Sequence, residues 1–257
     1  MATMFSAVRI KEVSRSDLAY AAEAMAEVKT LFASSCETLY RARNEIRQVD
    51  YAGQRLVIKS FKVPSFLNRF VYGRFRKSKA QRSYDNSQKL QQLGICTPTP
   101  VGYQEYYQGA LLAESFYVSV LHEPRYRLEQ VLHGDPVPER EAILAALGRF
   151  VGELHKCGVL HRDLSPGNIL IRDINGKFDF CLVDTNRMTF GPLDLTQRMR
   201  NFAMLWATDQ DLGIIVSAYA QATGLHSETV CQMALVASQA HKARSARKER
   251  LKRWLGR

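Results

Sequence analysis

One stretch of the chain, Gly158–Ile171, reads GVLHRDLSPGNILI. Asn168 follows five residues after Asp163 in this stretch. An aspartate in such a loop can accept or orient the proton of an attacking hydroxyl, and the asparagine can return to the same side of the loop to bind a metal ion. The apolar residues on both sides predict short buried segments that hold the loop at its ends. A chance turn is the alternative, because Asp, Ser, Pro, Gly and Asn all favour turns, but a turn does not require His161, Arg162 and Asn168 at these offsets.

A second segment, Phe178–Asp184, reads FDFCLVD and follows a turn predicted at Asp173–Gly176. Its apolar pattern predicts a strand that ends in a carboxylate. Asp163 and Asn168 are the candidate catalytic residues, and Asp184 is a further carboxylate that follows them closely in the chain. A surface aspartate at the end of a strand is the alternative for Asp184, and the neighbouring loop argues against it.

The loop resembles the catalytic loop of protein kinases, H-R-D-L-x-x-x-N. This resemblance implies that Asp163 serves the acceptor hydroxyl, and that Asn168 and Asp184 bind Mg²⁺ on the phosphates of ATP. The sequence departs from protein kinases at several points. The triplet after the strand is Asp-Thr-Asn instead of D-F-G, no G-x-G-x-x-G or A-P-E motif occurs, and Ser165 stands where serine/threonine kinases have lysine.

Residues 37–62 predict three short strands. The third strand carries Val-Ile-Lys, which is similar to the V-A-I-K strand of kinases and implies that Lys59 binds the α- and β-phosphates of ATP. Lys62 is the rival if the register is shifted, and a surface lysine on an edge strand is the alternative. A helix predicted from Lys79 to Leu93 lies where kinases have the helix whose glutamate pairs with the strand lysine. Its only acidic residue is Asp85, so the resemblance makes Asp85 the candidate partner of Lys59.

The region before the catalytic loop predicts further elements. Helical spacing of apolar residues predicts a helix over residues 14–32, and two strands are predicted over residues 100–107 and 111–121. The second of these strands leads into the segment that connects the lobes of kinases, where backbone groups hold adenine. Val120 and His122 are therefore the candidate adenine-binding residues.

These elements predict an α+β, two-lobed protein-kinase-like fold. The N-lobe, residues 1–121, would hold the N-terminal helix, a small antiparallel sheet and one long helix. The C-lobe, residues 122–257, would be reduced and mostly helical, with the catalytic loop and a basic C-terminal helix. In the absence of a glycine-rich loop, the turn at Ala42–Asn44 would have to cover the phosphates.

Composition favours a globular protein. The chain has 257 residues, of which 46% are hydrophobic. Its five cysteines are odd in number and form no C-x-x-C pair, which predicts reduced thiols in a cytoplasmic setting. No signal peptide is visible, and the longest uncharged apolar run is too short and too polar to cross a bilayer.

The net charge of +11 is concentrated in two patches. Eight basic residues and no acidic ones lie between Lys59 and Arg82, and eight more lie between Lys242 and Arg257 against Glu249 alone. Such patches indicate an anionic partner, with solvated helix faces as the alternative. Nucleic acid is not expected, because no stacking-rich RNA-binding motif accompanies the patches.

The assembled motifs resemble the lipopolysaccharide core kinases of Gram-negative bacteria, the Kdo and heptose kinases. The matching segments are LVIKSFK at Leu56–Lys62, KAQRSY at Lys79–Tyr84, LGICTP at Leu93–Pro98, the catalytic loop, and VDTNRM at Val183–Met188. The resemblance implies ATP- and Mg²⁺-dependent phosphorylation of a sugar hydroxyl on an anionic glycolipid, with Kdo slightly favoured over heptose. It also implies a peripheral position on the anionic, cytoplasmic face of the inner membrane. A protein serine/threonine/tyrosine kinase and a kinase-like binding module without turnover are the alternatives.

Overall fold

The computed structural model describes residues 8–41, 44–62 and 76–254. Within these residues the chain divides into two compact units. The first contains the described residues up to His122 together with Asp184–Asn186, and the second contains residues 123–183 and 187–254. The predicted division after residue 121 did not include the return of Asp184–Asn186 to the first unit.

The first unit is built on a six-stranded antiparallel sheet with the order β1-β5-β6-β4-β3-β2. Its strands are β1 (Val8–Ser14), β2 (Glu37–Arg41), β3 (Asn44–Tyr51), β4 (Gln54–Phe61), β5 (Pro100–Gln108) and β6 (Leu111–Val120). Ala52 and Gly53 join β3 to β4 with φ values of 49° and 74°, as a tight hairpin turn requires. The expected antiparallel sheet is confirmed.

The helix predicted over residues 14–32 is wrong in extent. The structure has strand β1 followed by two short helices, α1 (Ala21–Ala26) and α2 (Val28–Ser34). Glu27 between them leaves helical geometry with φ −96° and ψ 6°. The apolar side chains of both helices still pack on the sheet, where Met25 and Val28 are fully buried with Leu56, Ile58 and their neighbours.

Helix α3 (Lys79–Gln92) agrees with the predicted helix and begins at Ser78, whose side chain accepts a hydrogen bond from the Gln81 amide at 3.0 Å. Gly94 follows it with φ 72°. The buried face of α3 is partly apolar, through Tyr84 and Leu90, but it also carries buried serines.

The second unit holds two small sheets and five helices in its described part. The strands are β7 (Tyr126–Arg127), β8 (Val159–His161), β9 (Ile169–Ile174), β10 (Lys177–Leu182) and β11 (Met188–Phe190), paired as β10-β9-β7 and β11-β8. The helices are α4 (Leu128–His133), α5 (Arg140–Lys156), α6 (Leu195–Phe202), α7 (Asp209–Thr223) and α8 (Ser227–Trp254). The turn predicted at Asp173–Gly176 joins β9 to β10.

Helix α5 leads into the catalytic loop and packs closely on α7. A Cβ atom on Gly148 would lie 2.0 Å from the carbonyl oxygen of Ile215, so only glycine allows this approach. Helix α8 buries Val230, Ala234 and Ser238 near its start, whereas its residues 246–254 are all exposed. Among the described residues, no helix is both long and apolar enough to span a membrane.

Candidate active site

The catalytic loop lies between β8 and β9 in the second unit. Val159 and Ile169, at the two ends of the loop, are fully buried. Residues Pro166–Asn168 form one turn of 3₁₀ helix, in which the Asn168 amide donates to the carbonyl of Ser165 at 2.9 Å. The expected pinning of the loop by buried strands is therefore present in the structure.

The imidazole of His161 makes two hydrogen bonds that hold the backbone of the loop. Its Nε2 lies 3.0 Å from the carbonyl oxygen of Val183, and its Nδ1 lies 3.1 Å from the amide nitrogen of Asp163. Because a carbonyl only accepts and an amide N–H only donates, Nε2 carries the proton and Nδ1 accepts. The fully buried imidazole thereby connects the backbone of Asp163 to the residue before Asp184.

Asn168 ties the loop to itself. Its side-chain Nδ2 donates to the carbonyl of Asp163 at 2.9 Å, and its own carbonyl accepts from the amide of Val183 at 3.0 Å. The side-chain nitrogen of Asn168 is thus engaged in a hydrogen bond that holds the loop together. The amide oxygen, Oδ1, is the atom of this side chain with the chemistry of a metal ligand.

Arg187 lies beside the candidate proton acceptor. Its Nη1 is 3.1 Å from Oδ2 of Asp163, and the Arg162 amide donates to the Arg187 carbonyl at 2.9 Å. The side chains of Arg187 and Asp163 are 56% and 27% exposed, and ion pairs of this exposure contribute little to stability. The sequence placed Arg187 in a family motif but gave no signal for this contact.

A buried polar chain supports the loop from the helices of the second unit. The Nδ2 of Asn201 donates to the carbonyl of His161 at 2.9 Å, and its Oδ1 lies 3.2 Å from Nε2 of His155. Nδ1 of His155 lies 3.3 Å from the hydroxyl of Tyr219. Burial lowers the pKa of His155 to about 4, so this imidazole is neutral at pH 7. The sequence indicated a structural role for His155 but did not identify Asn201.

Lys59 and Asp184 meet in the first unit. Lys59 lies on β4, paired with Ile46 on β3 and Tyr117 on β6. Its Nζ is 2.6 Å from Oδ1 of Asp184, and only 12% of its side chain is exposed. Lys62, the rival from a shifted register, is exposed.

The backbone at Asp184 is unusual. Its φ is 55°, a left-handed conformation that non-glycine residues seldom adopt. Such strain persists where the surroundings hold the residue in place, and it is often found at functional sites. The Nδ2 of Asn186 also donates a hydrogen bond to the Asp184 carboxylate.

The predicted pairing of Lys59 with Asp85 is wrong. Asp85 makes its ion pair with Lys77, whose Nζ lies 2.7 Å from Oδ2, while Lys59 contacts Asp184. The reason is the orientation of α3, which buries Ser83, Tyr84 and Ser87 and leaves the Asp85 side chain 32% exposed. The assignment of Asp85 to ATP binding loses its basis with that pair.

Val120 and His122, the predicted adenine-binding residues, lie at the end of the first continuous segment of the first unit. The amide of Val120 donates to the Thr99 carbonyl at 2.9 Å, and the amide of Leu121 donates to the Arg55 carbonyl at 2.7 Å. An adenine contact from Val120 would therefore use its carbonyl oxygen. His122 is partly buried, and the roles of both residues stay predictions.

Two predicted features lie outside the described residues. One is the turn proposed to cover the phosphates, of which residues 42–43 are not described. The other is an aromatic and basic segment over residues 63–75, which contains part of the first basic patch.

The two-lobed α+β fold and the loop geometry define a protein of the protein-kinase-like class. The model of the lipopolysaccharide kinase (Kdo/WaaP) family matches residues 40–213, about two thirds of the chain. The chain belongs to this family. The prediction of a kinase, a phosphotransferase with ATP as co-substrate, is thus confirmed at the level of the family.

Individual proteins resemble this chain either at low sequence identity or over a short segment. A solved structure of WaaP in complex with acyl carrier protein has a TM-score of 0.63 at 18% identity and covers 92% of this chain and 98% of that one. A solved kinase domain has a TM-score of 0.42 at 13% identity, over 72% of this chain and 62% of that one. The KEOPS complex subunit Bud32 of Pyrococcus abyssi is 37% identical over 54 residues, which are 21% of this chain. That match spans about a quarter of the length of this curated relative.

Proposed function

We propose that this chain transfers the γ-phosphate of ATP to a sugar hydroxyl of the lipopolysaccharide inner core. Kdo is slightly favoured over heptose as the acceptor sugar, because the loop that carries Asn168 resembles the Kdo-type branch. The observation that carries the proposal is the immobilised Asp163, whose backbone is held by His161 and Asn168. A carboxylate carried by a backbone that is held in this way suits proton acceptance from a hydroxyl.

The reaction assigns one task to each residue. Asp163 takes the proton of the acceptor hydroxyl while the new oxygen–phosphorus bond forms at the γ-phosphorus and the bond to the departing ADP breaks. Arg187, at 3.1 Å from Asp163, orients the carboxylate. Lys59 exchanges its contact with Asp184 for the phosphates of ATP.

Mg²⁺ suits the residues present. Asn168 offers an amide oxygen and Asp184 a carboxylate, and oxygen ligands of these kinds are those that Mg²⁺ prefers. The ammonium of Lys59 lies 2.6 Å from Asp184, which supports a preference of this carboxylate for positive charge. When bound, the ion would neutralise charge on the phosphates.

Phosphate transfer from labelled ATP tests the proposal. The acceptors are lipopolysaccharide truncated after Kdo, lipopolysaccharide extended to heptose, and a protein mixture, each with the parent and Asp163→Asn. Label in a lipopolysaccharide fraction, absent with the variant, is the expected result. Label in protein alone would favour a protein kinase, and no transfer to any acceptor would favour a binding module.

We further propose an anionic membrane surface as the partner of α8. The exposed part of this helix carries Arg247, Lys248, Arg250, Lys252 and Arg253, and the side chains of Leu251 and Trp254 are 55% and 81% exposed. Each basic residue near an anionic bilayer contributes about 1 kcal/mol, an attraction that salt weakens. The solved WaaP structure is a complex with acyl carrier protein, so acyl carrier protein is the competing partner.

Vesicle sedimentation separates these partners. The variant changes the five basic residues between 246 and 254 to glutamate, and it leaves intact Lys242, which donates to the Ala207 carbonyl. Salt-sensitive binding of the parent to anionic but not neutral vesicles, lost in the variant, is expected. Equal binding to both vesicle types would contradict the proposal, as would binding of acyl carrier protein in the absence of binding to anionic vesicles.

A further inference from the structure

The buried face of α3 carries hydroxyl groups where a packed helix ordinarily carries apolar side chains. Ser83 and Ser87 are 2% and 1% exposed. Both contact Thr185, the residue after Asp184, which is 3% exposed. Protein kinases have phenylalanine at this position, and its packing distinguishes their active and inactive states. In this chain the same position is held by hydrogen bonds.

The direction of the hydrogen bonds follows from the inventory of donors. The Thr185 hydroxyl donates its single proton to the Ser83 carbonyl at 3.0 Å. The Ser87 hydroxyl, 2.9 Å away, must therefore donate to Oγ1 of Thr185. The Tyr117 hydroxyl donates to Oγ of Ser87 at 3.1 Å. The three hydroxyls form a chain with one direction, and each bond polarises the next.

The main chain of Thr185 is held as well. The side-chain Nδ2 of Asn86 donates to the Thr185 carbonyl at 2.7 Å. Helix α3 thus fixes both the side chain and the backbone of the residue that follows Asp184. We call these contacts of Thr185 with Ser83, Asn86 and Ser87, extended by Tyr117, the threonine clasp.

We propose that Thr185 is a positioning residue that holds Asp184 oriented toward a metal-bound nucleotide. Asp184 has a φ of 55°, a conformation that its surroundings must maintain. The threonine clasp supplies that restraint on the adjacent residue. This inference rests on the proposed role of Asp184 in metal binding.

The alternative is that Thr185 is buried only to fill space. Two substitutions distinguish this alternative from the positioning role, because the two hypotheses rank them in opposite order. Thr185→Val keeps the shape and removes the hydroxyl, so it preserves packing and breaks the clasp. Thr185→Ser keeps the hydroxyl and removes a methyl group. Under our proposal the serine variant resembles the parent and the valine variant is impaired, whereas packing alone reverses this order.

The measurement is calorimetric binding of ATP with Mg²⁺ and, separately, with EDTA. We expect Thr185→Val to weaken Mg²⁺-dependent ATP binding by about tenfold, because the buried Ser83 carbonyl and Ser87 hydroxyl both lose their hydrogen bond to Thr185. Thr185→Ser should stay within about threefold of the parent, and metal-free ATP binding should be unchanged. Thr223→Val is the matched control, because Thr223 donates to the Tyr219 carbonyl at 2.8 Å on a helix of the other unit.

Three results would overturn the inference. The first is Thr185→Val that binds Mg²⁺-ATP like Thr223→Val, and the second is Thr185→Ser that is impaired more than Thr185→Val. The third is Asp184→Ala with parental Mg²⁺-ATP binding, which would also refute the proposed metal role and so distinguishes the two failures. If Thr185→Val does not fold, Ser87→Ala replaces it, with an expected loss of about threefold and parental binding as the contradictory result.

Discussion

The two units hold their functional residues with buried polar networks of different chemistry. In the second unit, Tyr219, His155 and Asn201 lead to the carbonyl of His161 at the base of the catalytic loop. In the first unit, the threonine clasp leads from Tyr117 to the residue beside Asp184. Both networks begin at a tyrosine hydroxyl. Only the network of the second unit contains a group that titrates between pH 4 and 7, the imidazole of His155.

This difference separates what each network can do. A chain of hydroxyls keeps its hydrogen bonds across the physiological pH range, since Ser, Thr and Tyr do not ionise there. A buried imidazole gives up its acceptor nitrogen when it is protonated, so the network around the catalytic loop depends on pH.

The largest expected effect is on the rate of transfer. Asp163→Asn should lower kcat by about two to four orders of magnitude and leave ATP affinity nearly unchanged, because the role proposed for Asp163 is toward the acceptor hydroxyl and not the nucleotide. Asp184→Ala should instead remove Mg²⁺-dependent ATP binding. Rapid-quench kinetics and calorimetry of both variants check the pair. An Asp163→Asn variant that turns over within about threefold of the parent would contradict the catalytic assignment.

The second effect is a loss of stability in acid. The pKa of His155 is lowered from 6.5 to about 4 by burial, so the unfolded chain binds a proton in this interval that the folded chain does not. The contribution of neutral His155 is complete above pH 6.5 and is lost as the pH falls toward 4, by about 3 kcal/mol. The groups that face His155 are Asn201, Tyr219 and the positive charge of Arg198.

Urea unfolding from pH 7 to 4 measures this loss. His155→Gln should lose about 3 kcal/mol less than the parent over that range, because glutamine does not titrate. Asp211, whose pKa is lowered chiefly by Arg140, contributes equally to both proteins and cancels. Parallel curves for the two proteins would show that His155 does not link stability to pH.

The third effect concerns the amide groups of the two networks. Asn201→Leu leaves the carbonyl of His161 and Nε2 of His155 without their partner in a buried site, so it should lower the free energy of unfolding by about 2 kcal/mol. Asn86→Leu is the matched change in the threonine clasp. Asn86 is only partly buried, so water can replace its bond and the loss should be smaller. Equal losses in urea unfolding would contradict the greater burial of the loop network.

Much of the candidate site could be predicted from local spacing. Asp163 and Asn168 lie in one loop, so their spacing along the chain determines how they are placed relative to each other. That spacing can be read directly from the sequence. The partner of Lys59 could not be found this way. Asp85 is the only acidic residue of the predicted helix, with aspartate where kinases have glutamate. The contact is made instead with Asp184, which lies 125 positions from Lys59 and depends on packing of the first unit.

The sequence also failed to predict one strand and two buried polar residues, and the reason is again that they depend on contacts distant in the chain. Among the described strands, β1 pairs only with β5 at the sheet edge, and Ile10 on it is 54% exposed, so no alternation of buried residues marked it. Asn201 and Thr185 are polar residues whose role depends on buried neighbours distant in the chain. Apolar periodicity carries no information about such residues.

The smallest expected effect compares the two tyrosines with the same substitution. Tyr219→Phe removes the donor to Nδ1 of His155, a fully enclosed acceptor, and should cost about 1 kcal/mol of stability. Tyr117→Phe removes the donor to Ser87, whose hydroxyl still donates to Thr185, so about half that loss is expected. The decisive measurement is the pH dependence. The loss from Tyr219→Phe should shrink as His155 becomes protonated below pH 5, because Nδ1 then no longer accepts, whereas the loss from Tyr117→Phe should stay constant. If both losses are constant from pH 7 to 4.5 in urea unfolding, the two networks do not differ in the way their chemistry requires.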